Sequence, residues 1–186
     1  MAASPRFNLT DISKIAVFAA IIAILGLPGS INLADGVPIT AQTLGVMLAG
    51  LVLGSWRGAA AVVLFEILVA LGFPLLSGGR GGLAVFVGPS AGFLIGWIFG
   101  AFVIGLISHR SSSRPRIFTI VLGLLVGGIG VIYLFGIPVM AAVTGMNLLA
   151  ATVSASVYMP GDVIKVILAT VIVAGLWRAY PKAFAN

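Results

Sequence analysis

The sequence has 186 residues with a formal net charge of +6, and 61% of its residues are hydrophobic while 8% are charged. An average soluble domain is about 25% charged, so this composition and a mean hydropathy of +1.25 exclude a water-soluble globular protein. The absence of cysteine excludes disulfides, thiolate metal sites and cysteine nucleophiles. The composition predicts an all-α integral membrane protein built as one compact bundle.

Six apolar segments follow one another along the chain, and each predicts a transmembrane helix. The first could be confused with a signal peptide, but its cleavage pattern is poor and further apolar runs follow it. The second and third are short for a span, and glycines with Pro138 permit a kink in the fifth. All residues from 1 to 186 are assigned to a single membrane domain. The approximate helices are 12–28, 39–55, 58–74, 83–108, 117–143 and 161–180.

Basic residues are distributed unevenly between the two sides of this bundle. Only Arg80 and Lys165 of the ten Lys and Arg residues belong to one side. By the positive-inside rule, both termini are predicted to be cytoplasmic, and the connections 29–38, 75–82 and 144–160 face outward. The scatter of the basic residues argues against binding of nucleic acid. The basic residues on the predicted cytoplasmic side are Arg6, Lys14, Arg57, Arg110, Arg114, Arg116, Arg178 and Lys182.

The outward connections carry the groups that point to a binding site. GFPLLSGGRGG (72–82) is a glycine-dense loop around Arg80, and glycines let a backbone approach a ligand closely. Asp162 and Lys165 lie three residues apart, so a helix places them on one face. Asp162 alone is explained as a helix cap or a first-turn residue, but Lys165 opposes the helix dipole and needs a partner or a ligand. We expect a binding role, with a purely structural ion pair as the alternative.

Signatures of enzymes are missing from the sequence. It contains no HExxH, GxSxG or GxxxxGK[ST] motif, so no catalytic residue and no metal ligand is expected. A small intramembrane enzyme that uses Asp162 and Lys165 as acid and base remains an alternative. A chain of this size without an evident inverted duplication is not expected to transport a solute uphill unaided.

Small residues recur at four-residue spacing, which lets helices approach each other closely. We expect the glycine rows to pack inside the bundle, and the alanine rows of the first helix either to do the same or to contact another protein. Glu66 is expected to pair with a cation inside the bundle or to stay protonated. The glycine rows are Gly50, Gly54, Gly58 and Gly92, Gly96, Gly100. The alanine rows are Ala16, Ala20 and Ala19, Ala23.

Three passages together resemble the BioY family, the biotin-specific substrate-binding (S) components of energy-coupling-factor (ECF) transporters. They are VPITAQTLGVMLAGLVLG (37–54), GFPLLSGGRGGLAVFVGPSAGFLIGW (72–97) and MPGDVIKVILA (159–169). The resemblance covers roughly residues 10–180. It implies six helices in the bacterial cell membrane and an extracellular biotin pocket capped by the first and third outer loops. The sequence departs from the family pattern at Ser90-Ala91, where Thr-Gly is usual, and at residues 77–80, where SGGR replaces a segment carrying an amide side chain.

The resemblance also implies partners and site residues. Related transporters pair such a protein with a transmembrane coupling protein and two ABC-type ATPases, and some relatives are thought to work without them. Positions matching Ala16 and Ala20 are implicated in docking to the coupling protein, and Ala19 and Ala23 are included in the expected interface. Biotin is expected as transported ligand, with no cofactor; an S component for another small vitamin and a ligand-free structural subunit remain alternatives. The residues expected to bind biotin are Asp162, Lys165, Gln42, Thr40, Arg80, Gly78, Gly79, Gly82, Leu83, Phe86 and Tyr158.

Overall fold

A computed structural model describes residues 8–27, 37, 40–109 and 116–180. Within these ranges the chain forms six helices and no β-strand, which confirms the predicted all-helical fold. The helices are α1 (Leu9–Ile24), α2 (Gln42–Leu53), α3 (Ser55–Ala70), α4 (Ala91–Ser108), α5 (Ile117–Thr144) and α6 (Leu148–Ala179). Outside the described residues lie the predicted outer connection 29–38, except Val37, and the basic residues Arg6, Arg110, Arg114 and Lys182.

The six helices differ in length. By length and composition α4, α5 and α6 are able to cross a membrane, whereas α2 has 12 residues and is about 18 Å long. Nine of its residues are buried, because α1, α3, α4 and α6 all pack against it. Protein therefore surrounds most of α2.

Polar side chains at the start of α1 set its boundary and its contact with α3. Asn8 Oδ1 accepts from the Asp11 amide at 2.8 Å, and Asp11 Oδ2 accepts from the Asn8 amide at 3.2 Å, so α1 begins earlier than predicted. The buried Asp11 also pairs with Arg57 of α3, with 2.9 Å between Oδ1 and Nε. Arg57 was expected in a connection, but it lies in the first turn of α3 because Gly54 alone links α2 to α3 with φ of +81°.

Two further boundaries differ from the predicted segments. The predicted helix 83–108 is divided into a 3₁₀ turn (Leu83–Phe86) and α4, because proline fixes its own φ and restricts the residue before it, and Gly88-Pro89 separates the two parts. The predicted outer connection 144–160 contains a helical segment (Leu148–Ala155), which Asn147 caps by accepting from the Ala150 amide at 2.7 Å.

The fifth helix is continuous but irregular. Its stretch Leu124–Val131 is π-helical and contains three glycines, and Pro138 lies within the α-helical part that follows. In place of the kink that these residues permit, the helix has a π-helical stretch, which is wider than an α-helix. Gly145, with φ of +73°, ends the helix.

The glycine rows pack inside the bundle, as predicted, and Gly54, which links α2 to α3, is buried with the others. A β-carbon on Gly50 would lie 2.6 Å from the Ala101 carbonyl oxygen, and one on Gly100 would lie 2.8 Å from the Gly127 carbonyl oxygen. Gly58, Gly92 and Gly96 are equally confined. These contacts bring α2, α4 and α5 close together, which is the geometry that defines the cavity described below.

The alanine rows of α1 point in different directions. Ala19 is 4% exposed and belongs to the hydrophobic core, and Ala23 packs against that core. Ala16 and Ala20 are exposed. Only this second pair of alanines is therefore placed where another protein can reach it.

Glu66 of α3 is buried, and its Oε1 atom has no hydrogen-bond partner among the described residues. The ion pairs found in this part of the chain are Asp11–Arg57 and Asp162–Lys165. No cation is paired with Glu66 among the described side chains, and the alternative of a protonated Glu66 stays a prediction.

Gly100→Ala tests whether the glycine contacts hold α4 against α5. The new methyl group would collide with the Gly127 carbonyl, and overpacking of this kind costs about 1–3 kcal/mol. We expect the midpoint of thermal unfolding in detergent to fall by about 2–4 °C for each kcal/mol lost.

Gly175→Ala is the matched control, because nothing lies within 4 Å of a β-carbon at this exposed position of α6. This variant gains the higher helix propensity of alanine, which is worth about 1 kcal/mol. The midpoint of its thermal unfolding should therefore stay the same or rise. Equal midpoints for Gly100→Ala and the unmodified protein would contradict the packing interpretation.

Candidate functional site

A cavity opens where α2 begins, between α4, α5 and the last helix. Its cavity volume is about 70 Å³. One of its walls is polar and the other is apolar. The lining residues are Val37, Thr40, Gln42, Thr43, Leu76, Arg80, Ser90, Phe93, Leu94, Trp97, Ile132, Tyr133, Tyr158, Asp162 and Lys165.

The polar wall is a chain of four side chains centred on Asp162. Lys165 Nζ donates to Asp162 Oδ1 at 2.9 Å and to Thr43 Oγ1 at 2.7 Å. The Tyr133 hydroxyl donates to Asp162 Oδ2 at 2.7 Å. The side chains of Asp162 and Lys165 are 8% and 12% exposed, so this ion pair lies almost completely out of water. The wall therefore joins residues from α2, α5 and α6.

The local sequence explains why the pair lies at the start of the last helical stretch, Met159–Ala179. Pro160 is tolerated in its first turn because that turn needs no amide donor there. Asp162 is not the capping residue, since the capping position is Tyr158, but it lies in the first turn of this stretch. The first-turn alternative for Asp162 is therefore confirmed, and the cap alternative is wrong. Asp162 is nevertheless favoured by the helix dipole, while Lys165 opposes the dipole and is stabilised by Asp162 and Thr43.

The apolar wall is made mainly by α4 and α5. Phe93, Leu94 and Trp97 line it from α4, and Ile132 from α5. The Phe93 ring meets the Tyr133 ring edge-on, with 6.0 Å between centroids and 82° between planes. It meets Tyr158 in the same way. Such edge-to-face pairs are favourable and directional, so Phe93 holds the two tyrosine rings beside the polar wall.

The glycine-dense loop closes into a tight turn beside the cavity. Leu76 and Arg80 exchange backbone hydrogen bonds of 3.0 and 3.2 Å, and the intervening Gly78 and Gly79 have φ of +75° and +71°. Left-handed conformations of this kind favour glycine. The turn directs Arg80 to the cavity lining, and its Nε atom donates to the Ser77 carbonyl at 3.3 Å.

Gln42 uses its amide to tie this loop to the bundle. Its Nε2 atom donates to the Ile22 carbonyl at 3.3 Å and to the Leu75 carbonyl at 3.1 Å. Its Oε1 atom accepts from the Ser77 amide at 3.4 Å. Gln42 is 1% exposed, and both of its amide hydrogens are engaged. Gln42 thus borders the cavity while its hydrogen bonds go to α1 and to the loop.

The residues expected at the site fall into two sets. Asp162, Lys165, Gln42, Thr40, Arg80 and Tyr158 line the cavity. The remaining five do not line it: Gly78, Gly79 and Gly82 build the loop turns, Leu83 is 72% exposed, and Phe86 packs against the core. For these five a contact with ligand stays a prediction.

Sequence reasoning missed several lining residues, and two of them belong to the polar wall. Thr43 is the last residue of the VPIT-x-QT motif, from which only Thr40 and Gln42 were selected. Tyr133 is the one side chain with a polar atom between Thr119 and Thr144 of α5. An isolated hydroxyl in an otherwise apolar helix is the signal that would have identified it, because buried polar groups need partners.

Among the described residues no three His, Cys, Asp or Glu side chains cluster together.

Comparisons with known proteins agree on one family. The model of the BioY family matches residues 1–182. The chain is 49% identical over 177 residues to the biotin transporter BioY of Rhizobium etli, covering 92% of this chain and 95% of that protein. It is 46% identical over 182 residues to the biotin transporter BioY of Rhodobacter capsulatus, covering 93% and 96%. The crystal structure of the S-component for biotin from an ECF-type ABC transporter superposes with a TM-score of 0.86 at 34% identity, covering 94% and 95%.

Gln42→Leu tests whether Gln42 holds the loop. Removal of the amide leaves the Leu75 carbonyl and the Ser77 amide without their partner, at about 1–3 kcal/mol for a buried group. We expect hydrogen–deuterium exchange of the amides of residues 75–82 to become faster by about tenfold, which corresponds to 1.4 kcal/mol. The amides of α4 serve as the internal control. Unchanged exchange in the loop would show that Gln42 does not hold it.

Proposed function

The chain belongs to the BioY family, and on that basis we propose that it is the biotin-binding S component of an ECF-type transporter. It would capture biotin in the cavity between α2, α4, α5 and α6 and deliver it to the cytoplasm. The observation that carries the proposal is the buried pair of Asp162 and Lys165 on the cavity wall, because it offers a hydrogen-bond acceptor next to a donor.

The polar wall matches the chemistry of a cyclic urea. Lys165 has three N–H donors, and two of them are used by Asp162 and Thr43. Each oxygen of Asp162 accepts one bond from the described residues and retains further lone-pair capacity. The ureido ring of biotin presents N–H groups beside a carbonyl. Asp162 would accept from an N–H, and Lys165 would donate to the carbonyl, in charge-assisted bonds of about 1.5–3 kcal/mol each.

The rest of biotin fits the rest of the cavity in polarity. The thioether ring is apolar, and Phe93, Leu94 and Trp97 supply an apolar wall next to the polar one. The valerate tail ends in a carboxylate. Arg80, which reaches the cavity from the glycine loop, is the cation that we assign to that carboxylate. A ligand-free structural subunit has no need of an open cavity with unused hydrogen-bonding capacity.

We place the cavity at the extracellular side of a multi-pass protein of the bacterial plasma membrane, with six spanning helices and both termini in the cytoplasm. The unequal distribution of basic residues supports this orientation. Arg57 lies in the first turn of α3, whereas Arg80 follows the end of that helix. Arg178 lies in the last turn of the stretch Met159–Ala179, whereas Lys165 lies near its start.

The proposed partners are a transmembrane coupling protein and two ABC-type ATPases. The chain itself is not proposed to hydrolyse ATP, so the energy for uptake would come from those subunits. The proposed docking surface is limited to Ala16 and Ala20, which are exposed on α1, because small side chains permit close approach of another helix.

Asp162→Asn should weaken biotin binding at least tenfold. The change removes the charge from the acceptor, and a loss of about 1.4 kcal/mol corresponds to that factor. Trp97 lines the cavity, so quenching of tryptophan fluorescence in purified protein is a suitable readout. Thiamine and riboflavin, tested in the same way, should give no saturable response.

Asp11→Asn is the matched control for that experiment. Asp11 is also a buried carboxylate paired with a cation, but it does not line the cavity. Its substitution should lower stability and leave the affinity for biotin unchanged. Full affinity in Asp162→Asn would refute the role of the pair, and a response to another vitamin instead of biotin would refute the choice of substrate.

Ala16→Leu combined with Ala20→Leu should leave biotin binding intact and reduce co-purification with the coupling protein, since bulky side chains prevent close helix approach. Val17→Leu is the control, because Val17 is 56% exposed on the same helix and outside the alanine row. Co-purification at the level of the unmodified protein would remove this surface from the proposal.

A further inference from the structure

We infer that Tyr133 is a positioning residue for the ligand, which acts through its hydrogen bond to Asp162. The inference rests on the proposed binding of biotin and adds a residue that the sequence motifs do not contain. Tyr133 would fix the orientation of the Asp162 carboxylate. The free lone pairs of Asp162 would then lie beside the free N–H of Lys165. Together they would match an N–H group and a neighbouring C=O group on one edge of the ligand.

The first support is the direction from which each partner reaches Asp162. Lys165 lies on the same helix, three residues further on, so this contact cannot orient the carboxylate relative to the other walls. Tyr133 lies on α5 and contacts the other carboxylate oxygen at 2.7 Å. Among the described residues, Tyr133 makes the hydrogen bond that ties the Asp162 side chain to another helix. Thr43 does the same for Lys165 from α2.

The second support is the rigidity of Tyr133 itself. Its ring packs against residues of both hydrophobic core clusters and meets the Phe93 ring edge-on. Tyr133 is the second residue after the π-helical stretch Leu124–Val131, and such stretches occur frequently at functional sites. A β-carbon on Gly127 would lie 2.7 Å from the Gly100 carbonyl oxygen, so close packing against α4 fixes the stretch that precedes Tyr133.

The loss of the hydroxyl has a defined consequence. Without Tyr133, the carboxylate is free to turn and offer both of its oxygens to Lys165, since a carboxylate has about four lone-pair sites. Asp162 and Lys165 would then satisfy each other, and less of their bonding capacity would remain for a ligand. Tyr133→Phe keeps the ring and its packing, so it isolates this effect of the hydroxyl.

A double-mutant cycle on biotin affinity tests the inference. Tyr133→Phe should weaken binding about tenfold in the unmodified protein, but by less than about twofold in the Asp162→Asn background, because coupled residues are not additive. A purely structural role would lower affinity by the same factor in both backgrounds. Desthiobiotin, which keeps the ureido ring and lacks the thioether, should lose affinity by the same factor as biotin in Tyr133→Phe.

Controls separate the inference from the proposed function. Tyr180→Phe makes the same chemical change at a residue that is 59% exposed, and it should not alter affinity. If Tyr133→Phe does not fold, Tyr133→Met replaces it in the same cycle. If the unmodified protein binds biotin and the two substitutions lower its affinity by independent factors, the role of Tyr133 is overturned and the proposed function is not. Absence of biotin binding to the unmodified protein would overturn the proposed function, and the inference with it.

Discussion

The burial of one ion pair, Asp162 with Lys165, is the constraint on which the rest of the site depends. Removing two charges from water is costly, and their mutual attraction compensates only when further hydrogen bonds complete the geometry. In this protein Tyr133 and Thr43 supply those bonds. The pair keeps one donor and several acceptor positions free on the wall of a cavity, so a polar ligand would form the hydrogen bonds that the protein does not.

The remainder of the fold positions that pair. Glycine contacts bring α4 close to α5, which places an apolar wall next to the charges. Gln42, at the start of the short α2, binds both the end of α1 and the loop that carries Arg80. The helix with the exposed alanines is thereby joined to the loop at the cavity mouth through a single buried side chain.

Much of this arrangement was predictable from the sequence, for identifiable reasons. The six apolar runs predict six helices, and the i, i+3 spacing places Asp162 and Lys165 on one helical face. The isolated hydroxyl of Tyr133 marks it as a residue that needs a partner, but its contact with Asp162 was not predictable, because a π-helical stretch precedes it and breaks the regular count of residues per turn. Leu83 and Phe86 were expected to contact the thioether side of biotin as apolar residues. They fall within the predicted helix 83–108, but α4 begins only after Gly88-Pro89, and neither residue lines the cavity.

Equilibrium binding of radiolabelled biotin to the purified, folded protein is the decisive experiment for the proposed site. We expect saturable association with one biotin per chain, and competition by unlabelled biotin. Failure of labelled biotin to associate with protein whose helical content and monodispersity are intact would contradict this expectation.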